Sequence, residues 1–218
     1  MRVTAQGEFT RELWEATLPV FQQIINCRFV SELANATLPR EWFTHYLSQD
    51  VLYLQQDNEA LELLSQRATD ETEKNFFRQL AEDGIAVEQA MQKEYLVYFN
   101  IQAAKEQSPV FGEYGNFLLH SAQNAPYPVA LAALLPCFWL YGEVGQHIIM
   151  HQVADNPYQR FIDTYAGETY DKVTVRFIQL IEKHGQQASV NLKTQMKEAF
   201  LQSARFEYLV FEEAENVN

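Results

Sequence analysis

Apolar residues recur every three to four positions along most of this chain, the spacing of one face of an α-helix. The first such segment covers residues 10–26, with Leu13, Trp14, Phe21, Ile24 and Ile25 on its apolar side. A short segment follows. Thr37-Leu38-Pro39-Arg40-Glu41 then opens a long helix reaching residue 66, with proline in its first turn. Asp70-x-x-Glu73 has the form of a capping box and predicts a helix over 70–99. Ser108-Pro109 repeats the cap-then-proline signal ahead of a helix over 111–123. The most hydrophobic segment, 128–153, carries Pro136 in its interior, which removes a backbone donor and predicts a kink. Asn156-Pro157 starts a short helix ending near Ala166-Gly167, and the last two helices cover 168–184 and 189–215. No alternating strand pattern, internal repeat, linker or low-complexity tract competes with this. The expectation is one all-α domain over residues 1–218, built from eight to nine helices.

Composition narrows the function classes. Eight Gly and seven Pro in 218 residues are too few for a sandwich or barrel, which needs a turn every ~8–12 residues. The 16 basic residues against 29 acidic ones, a net charge of −13, exclude general nucleic-acid binding and disfavour an anionic membrane surface. The first residues have no apolar signal region, and the longest apolar run, Val129 to Tyr141, is short of the ~20 residues needed to cross a bilayer. Cys27 and Cys137 are far apart and in no Cys-x-x-Cys pair, so two free thiols in a reducing cytoplasm are expected. Aromatic residues, at 13%, exceed what a core requires.

Four constellations could carry chemistry. Tyr46, Asp50, Tyr53 and Asp57 share one helical face, where an acid between two tyrosines can hold an amino group by a charge-assisted hydrogen bond. The same spacing also describes a solvated edge with half-packed tyrosines. Cys137 follows Pro136 in an apolar run, either as a small buried hydrophobe or as a thiol presented at a distorted turn. Glu207 has Ser203, Val210 and Phe211 as its helical neighbours. Desolvation there would raise its pKa toward proton-transfer range; the alternative is an exposed glutamate paired with Arg205. Glu143, His147 and His151 recur every fourth residue, a spacing that permits metal ligation. Helical di-iron sites instead use Glu-x-x-His pairs with further glutamates, so a solvated or interface face is favoured.

Taken together, the segments resemble the TenA family, also called thiaminase II or aminopyrimidine aminohydrolase. The likeness runs from about Leu13 to Ala214 and rests on ordered motifs. Thr37-Leu38-Pro39 is followed by Tyr46-Leu47-Ser48-Gln49-Asp50-Val51-Leu52-Tyr53-Leu54. A Pro-Cys-x-Trp-x-Tyr-x-Glu-x-Gly pattern is matched throughout by Pro136 to Gly145. Tyr158-Gln159-Arg160-Phe161-Ile162-Asp163-Thr164-Tyr165 and Phe206-Glu207-Tyr208-Leu209-Val210-Phe211 complete the set. Phe161 replaces the usual tryptophan, Val210-Phe211 replace Phe-Trp, Ala-Asn-Ala before Thr37 lacks the usual glycine, and Cys27 stands where many members have His.

The resemblance implies a haem-oxygenase-like helical bundle, assembled as a homotetramer in the cytoplasm, with no metal, haem or other cofactor. It implies a small-molecule pyrimidine substrate, with 4-amino-5-aminomethyl-2-methylpyrimidine preferred over thiamin, hydrolysed in thiamin salvage. Cys137 would be the nucleophile and Glu207 the acid/base. Asp50 would hold the 4-amino group and a ring nitrogen, Tyr53 and Tyr165 would line or stack on the ring, and Tyr114 would lie near the thiol. Tyr141 and Glu143 occupy motif positions with less direct roles. A metal-dependent enzyme of the same fold and a non-catalytic pyrimidine binder are the alternatives.

Overall fold

The computed structural model describes residues 2–217 apart from Ala166, with Tyr165 described by its backbone alone. Among these residues the chain forms eleven α-helical segments and no strand: α1 (Glu8–Asn26), α2 (Arg28–Ala34), α3 (Arg40–Arg67), α4 (Glu71–Ala90), α5 (Leu96–Tyr98), α6 (Pro109–Asn124), α7 (Tyr127–Leu134), α8 (Pro136–His151), α9 (Gln159–Ile162), α10 (Glu168–Gln187) and α11 (Val190–Glu215). The expected helix over 70–99 is interrupted by a π-helical turn, Met91–Tyr95, and the one over 128–153 divides at Leu135, which accounts for the larger number. The short helix after Asn156-Pro157 continues as a 3-10 turn, Asp163–Tyr165; its expected end at Ala166 lies outside the described residues.

Local chemistry sets the helix starts where the pattern puts them. Asp70 accepts hydrogen bonds from the N–H groups of Thr72 and Glu73 at 2.8 and 3.2 Å, and Pro109 is the first residue of α6. Glu73 does not close a capping box. It turns inward, accepting from Lys183 Nζ at 2.8 Å and meeting His184 Nε2 at 3.0 Å, and so ties α4 to α10.

Helices α3 and α11 are central. The first packs on α4, α6, α7 and α11, the second on α1, α2, α6, α7 and α8. Between them lies an aromatic core in which Tyr46 stacks on Phe211 at 5.2 Å and 8°, with Phe29, Phe111 and Phe161 around it. Each such pair contributes about 0.5–1.5 kcal/mol beyond its buried area. Tyr46 is therefore a core residue, although it shares a stripe with Asp50. The rod formed by α7 and α8, Tyr127–His151, is long and apolar enough to cross a membrane, yet its apolar stretch is 83% buried inside the bundle.

Helices α1, α2 and α6 are among those without a side-chain bond from their N-cap residue, since Gly7, Cys27 and Ser108 at their starts cap nothing with a side chain. Glutamates from later helices take that place. Glu182 of α10 accepts from Thr10 N at 2.8 Å and Thr10 Oγ1 at 2.9 Å at the start of α1. Glu215 of α11 accepts from Phe29 N at 2.9 Å, opening α2, and Glu213 from Val110 N at 2.8 Å, opening α6. Each contact satisfies orphan donors and places a negative charge at the positive end of a helix dipole.

Burial pushes the Glu182 carboxyl up, but its hydrogen bonds from Thr10, Gln186 and Phe9 outweigh this and leave it below the usual range. Its stabilisation is therefore complete above the unfolded carboxyl value and is lost as pH falls through the depressed folded one. Glu182→Ala is expected to cost about 2–3 kcal/mol at neutral pH. Urea unfolding should show a lower midpoint at pH 7, with the gap to the parent protein narrowing below pH 4.5.

Candidate active site

Pro136 sets the position of the thiol. It has no N–H to give the Ala132 carbonyl, so the α7 ladder stops and α8 starts afresh, with Phe138 N and Trp139 N both bonding to Leu135 O at 3.0 and 2.9 Å. Ser203 of α11 donates to the Ala133 carbonyl at 2.5 Å and fastens this break to the helix that carries Glu207. On the other side, the Tyr170 hydroxyl lies 3.2 and 2.9 Å from the carbonyls of Cys137 and Phe138 and shares its proton between them. Cys137 thus projects from the first turn of α8, held by contacts from both flanking helices.

Two tyrosines converge on its sulfur. Tyr53 Oη lies 2.7 Å and Tyr114 Oη 3.1 Å from Cys137 Sγ, and Tyr114 donates to Glu207 Oε1 at 2.7 Å. The rings of Tyr53 and Tyr114 stack at 4.9 Å, and Phe206 stacks on the far side of Tyr114 at 5.1 Å. This close approach of α6 to α3 needs Gly115. A Cβ there would lie 3.2 Å from Gln56 Cβ and run into the Gln56 amide.

The field is unusual for a buried site. Burial raises Glu207 to about 7, with the Tyr114 hydrogen bond pulling down and the charges of Asp50 and Asp57 pushing up. Burial and then the Asp57 charge raise Asp50 to about 7, and burial raises Asp57 to about 7 against the opposing effect of the Cys137 thiol. Burial, then Asp57 and Glu207, hold the Cys137 thiol well above its ordinary value, so the resting sulfur is protonated. Among the described residues no cation offsets the burial of Asp50 or Asp57.

The expected site residues Asp50, Tyr53, Tyr114, Cys137 and Glu207 therefore form one cluster drawn from α3, α6, α8 and α11. Tyr141 lies one turn beyond Cys137 on the same face of α8, half-buried. The Tyr165 side chain lies outside the described residues. Glu207 is buried, which removes the alternative of an exposed pair with Arg205. The departures at Phe161 and Phe211 fall in the core, where both rings contact Tyr46.

Glu143, His147 and His151 do not converge. Glu143 accepts from the backbone N–H groups of Arg2 and Val3 at 2.7–2.9 Å and ties the start of the chain to α8. The two histidine rings stack on each other at 4.2 Å. Among the described residues no group of three His, Cys, Asp or Glu side chains could hold a metal ion. Two contributors went unassigned in the sequence. Asp57 was visible on the α3 stripe but carried no role. Tyr170 lies on a separate amphipathic helix, where nothing local marks it.

An all-α bundle with a thiol, two tyrosines and a glutamate in hydrogen-bond sequence defines the class, and comparison with known proteins agrees. Residues 14–216 match the TENA/THI-4/PQQC family, and the chain belongs to it. The thiamine biosynthesis multifunctional protein ThiED of Corynebacterium efficiens is 37% identical over 81% of this chain, which spans 24% of that longer relative. An aminopyrimidine aminohydrolase of Bacillus subtilis is 27% identical over 83% of this chain and 78% of its own length. The fold matches a TenA homologue from Pyrococcus furiosus with a TM-score of 0.90, at 19% identity over 95% of this chain and all of that one.

The raised Glu207 value has a signed consequence. The unfolded chain ionises this carboxyl near 4.5 and the folded one near 7, so its burial lowers stability as pH rises across that interval. Glu207→Gln keeps the shape and an acceptor for Tyr114 but cannot ionise. Relative to the parent protein it should unfold at similar denaturant concentration at pH 4 and at clearly higher concentration at pH 8; a pH-independent difference would contradict the assignment.

Proposed function

We propose that the protein hydrolyses an aminopyrimidine, 4-amino-5-aminomethyl-2-methylpyrimidine in preference to thiamin, to the 5-hydroxymethyl compound. The observation that carries this reading is the chain Cys137 Sγ, Tyr114 Oη, Glu207 Oε1, with contacts of 3.1 and 2.7 Å. Family membership and the aminopyrimidine aminohydrolases among its relatives support the substrate class.

A pyrimidine ring accepts a nucleophile poorly until a ring nitrogen is protonated, so the reaction needs a thiolate and a carboxylic acid together. The hydrogen-bond chain can supply both in one transfer. The thiol proton moves to Tyr114 Oη as the phenolic proton moves to Glu207, leaving Cys137 as thiolate and Glu207 as acid. Tyr53 Oη, 2.7 Å from the sulfur, donates to the thiolate and limits the cost of charge in a buried place. Asp50 accepts from the 4-amino group and holds the ring.

Glu207 then protonates the ring nitrogen while the thiolate bonds to the adjacent carbon. The ring releases electron density toward the exocyclic methylene, the C–N bond breaks, and the amine leaves with the bonding pair. Water adds to the methylene carbon and gives one proton to the released amine, the C–S bond breaks with its pair returning to sulfur, and the ring nitrogen returns its proton to Glu207. With the carboxyl raised to about 7, Glu207 exchanges protons near neutral pH at little cost in driving force.

Cys137→Ser and Glu207→Gln should each lower kcat by at least about a thousandfold. Binding of the hydroxymethylpyrimidine product, read by calorimetry, should stay within about tenfold of the parent value. Mass detection of that product from the aminomethylpyrimidine and from thiamin tests the assignment, and unchanged turnover in both variants would refute it.

A further inference from the structure

The mechanism above uses Glu207 and Asp50 and leaves a third carboxyl idle. Asp57 stands on α3 four residues beyond Tyr53 and seven beyond Asp50, on the face that carries both. It is 6% exposed, and its Oδ1 has no hydrogen-bond partner among the described residues. Its charge acts on Asp50, Tyr53, Cys137 and Glu207 alike, which places it among them.

A buried carboxylate oxygen without a donor costs stability in the empty protein, and a ligand that brings a donor removes that cost. In the proposed complex Glu207 is occupied at the ring nitrogen and Asp50 at the 4-amino edge. The donor left over is the amine on the exocyclic methylene. A primary alkylamine carries its proton at neutral pH, as lysine does with a value of about 10.4. It therefore arrives as an ammonium with three N–H bonds, a complement to acids that no cation among the described residues offsets. A thiazolium leaving group is also cationic but offers no N–H at the nitrogen that departs.

We propose that Asp57 is a specificity-determining residue whose free Oδ1 accepts a hydrogen bond from the departing ammonium, selecting pyrimidines with a primary amine on the methylene carbon. This deepens the aminopyrimidine reading and rests on it. The proton count closes on the amine itself. The C–N bonding pair goes to nitrogen, the ammonium leaves as ammonia and takes the proton that the attacking water gives up, and Asp57 is ionised before and after.

The test uses Cys137→Ser protein, which binds without turnover, and calorimetry with the 5-aminomethyl and 5-hydroxymethyl pyrimidines. Adding Asp57→Asn should weaken the amine at least tenfold and leave the alcohol within threefold. Equal weakening of both, or of neither, overturns the assignment to Asp57. A second contrast leaves Asp57 intact: in Cys137→Ser protein the amine should bind at least tenfold more tightly than its 5-ethyl isostere, and equal affinity overturns the proposal even if the Asn variant fails to fold. Absence of binding by every one of these pyrimidines would instead overturn the substrate class on which the proposal rests.

Discussion

One thiol and three carboxyls share one region of this protein, and the cost of removing them from water shapes what surrounds them. Desolvation is the leading cause of the upward shift at Cys137, Asp50, Asp57 and Glu207. Paired with lysine or arginine, these groups would be permanently charged and of little use for moving protons. Tyrosine hydroxyls partner the thiol instead, and they can donate or accept without adding charge. The thiol rests protonated, and in the proposed mechanism a thiolate and an acid arise together by shifting protons over two short contacts.

Rigid placement of those contacts depends on features that look unrelated to chemistry. Pro136 breaks the helix, Ser203 and Tyr170 anchor the break, and Gly115 lets α6 come close enough for Tyr114 to reach the sulfur. Behind them, Tyr46, Phe161 and Phe211 form a packed aromatic wall. Substitutions in that wall are felt through Tyr46 at the start of the stripe that carries Asp50 and Tyr53, one and two turns further on.

What was legible in the sequence divides by range. Helix starts at Asp70 and Ser108-Pro109 are local signals, written within four residues, and the structure has them where the pattern puts them. The π-helical turn at Met91–Tyr95 has no such marker, since no proline or glycine lies in it. The cluster of Asp50, Tyr53, Tyr114, Cys137 and Glu207 could be collected only because the motifs resemble a known family; periodicity gives each a face but does not say which faces meet. Glu143, 141 positions from Arg2, and Glu182, 172 from Thr10, were opaque for the same reason. Asp57 was the intermediate case, visible by spacing and meaningful only once its burial and missing partner were known.

The borrowed caps also impose an order in time. The amide groups that open α1, α2 and α6 are satisfied by Glu182, Glu215 and Glu213, which are synthesised later. During translation the starts of those earlier helices leave the ribosome before the carboxyls that cap them. The C-terminal helices therefore act as a clasp on the helix starts that precede them in the chain.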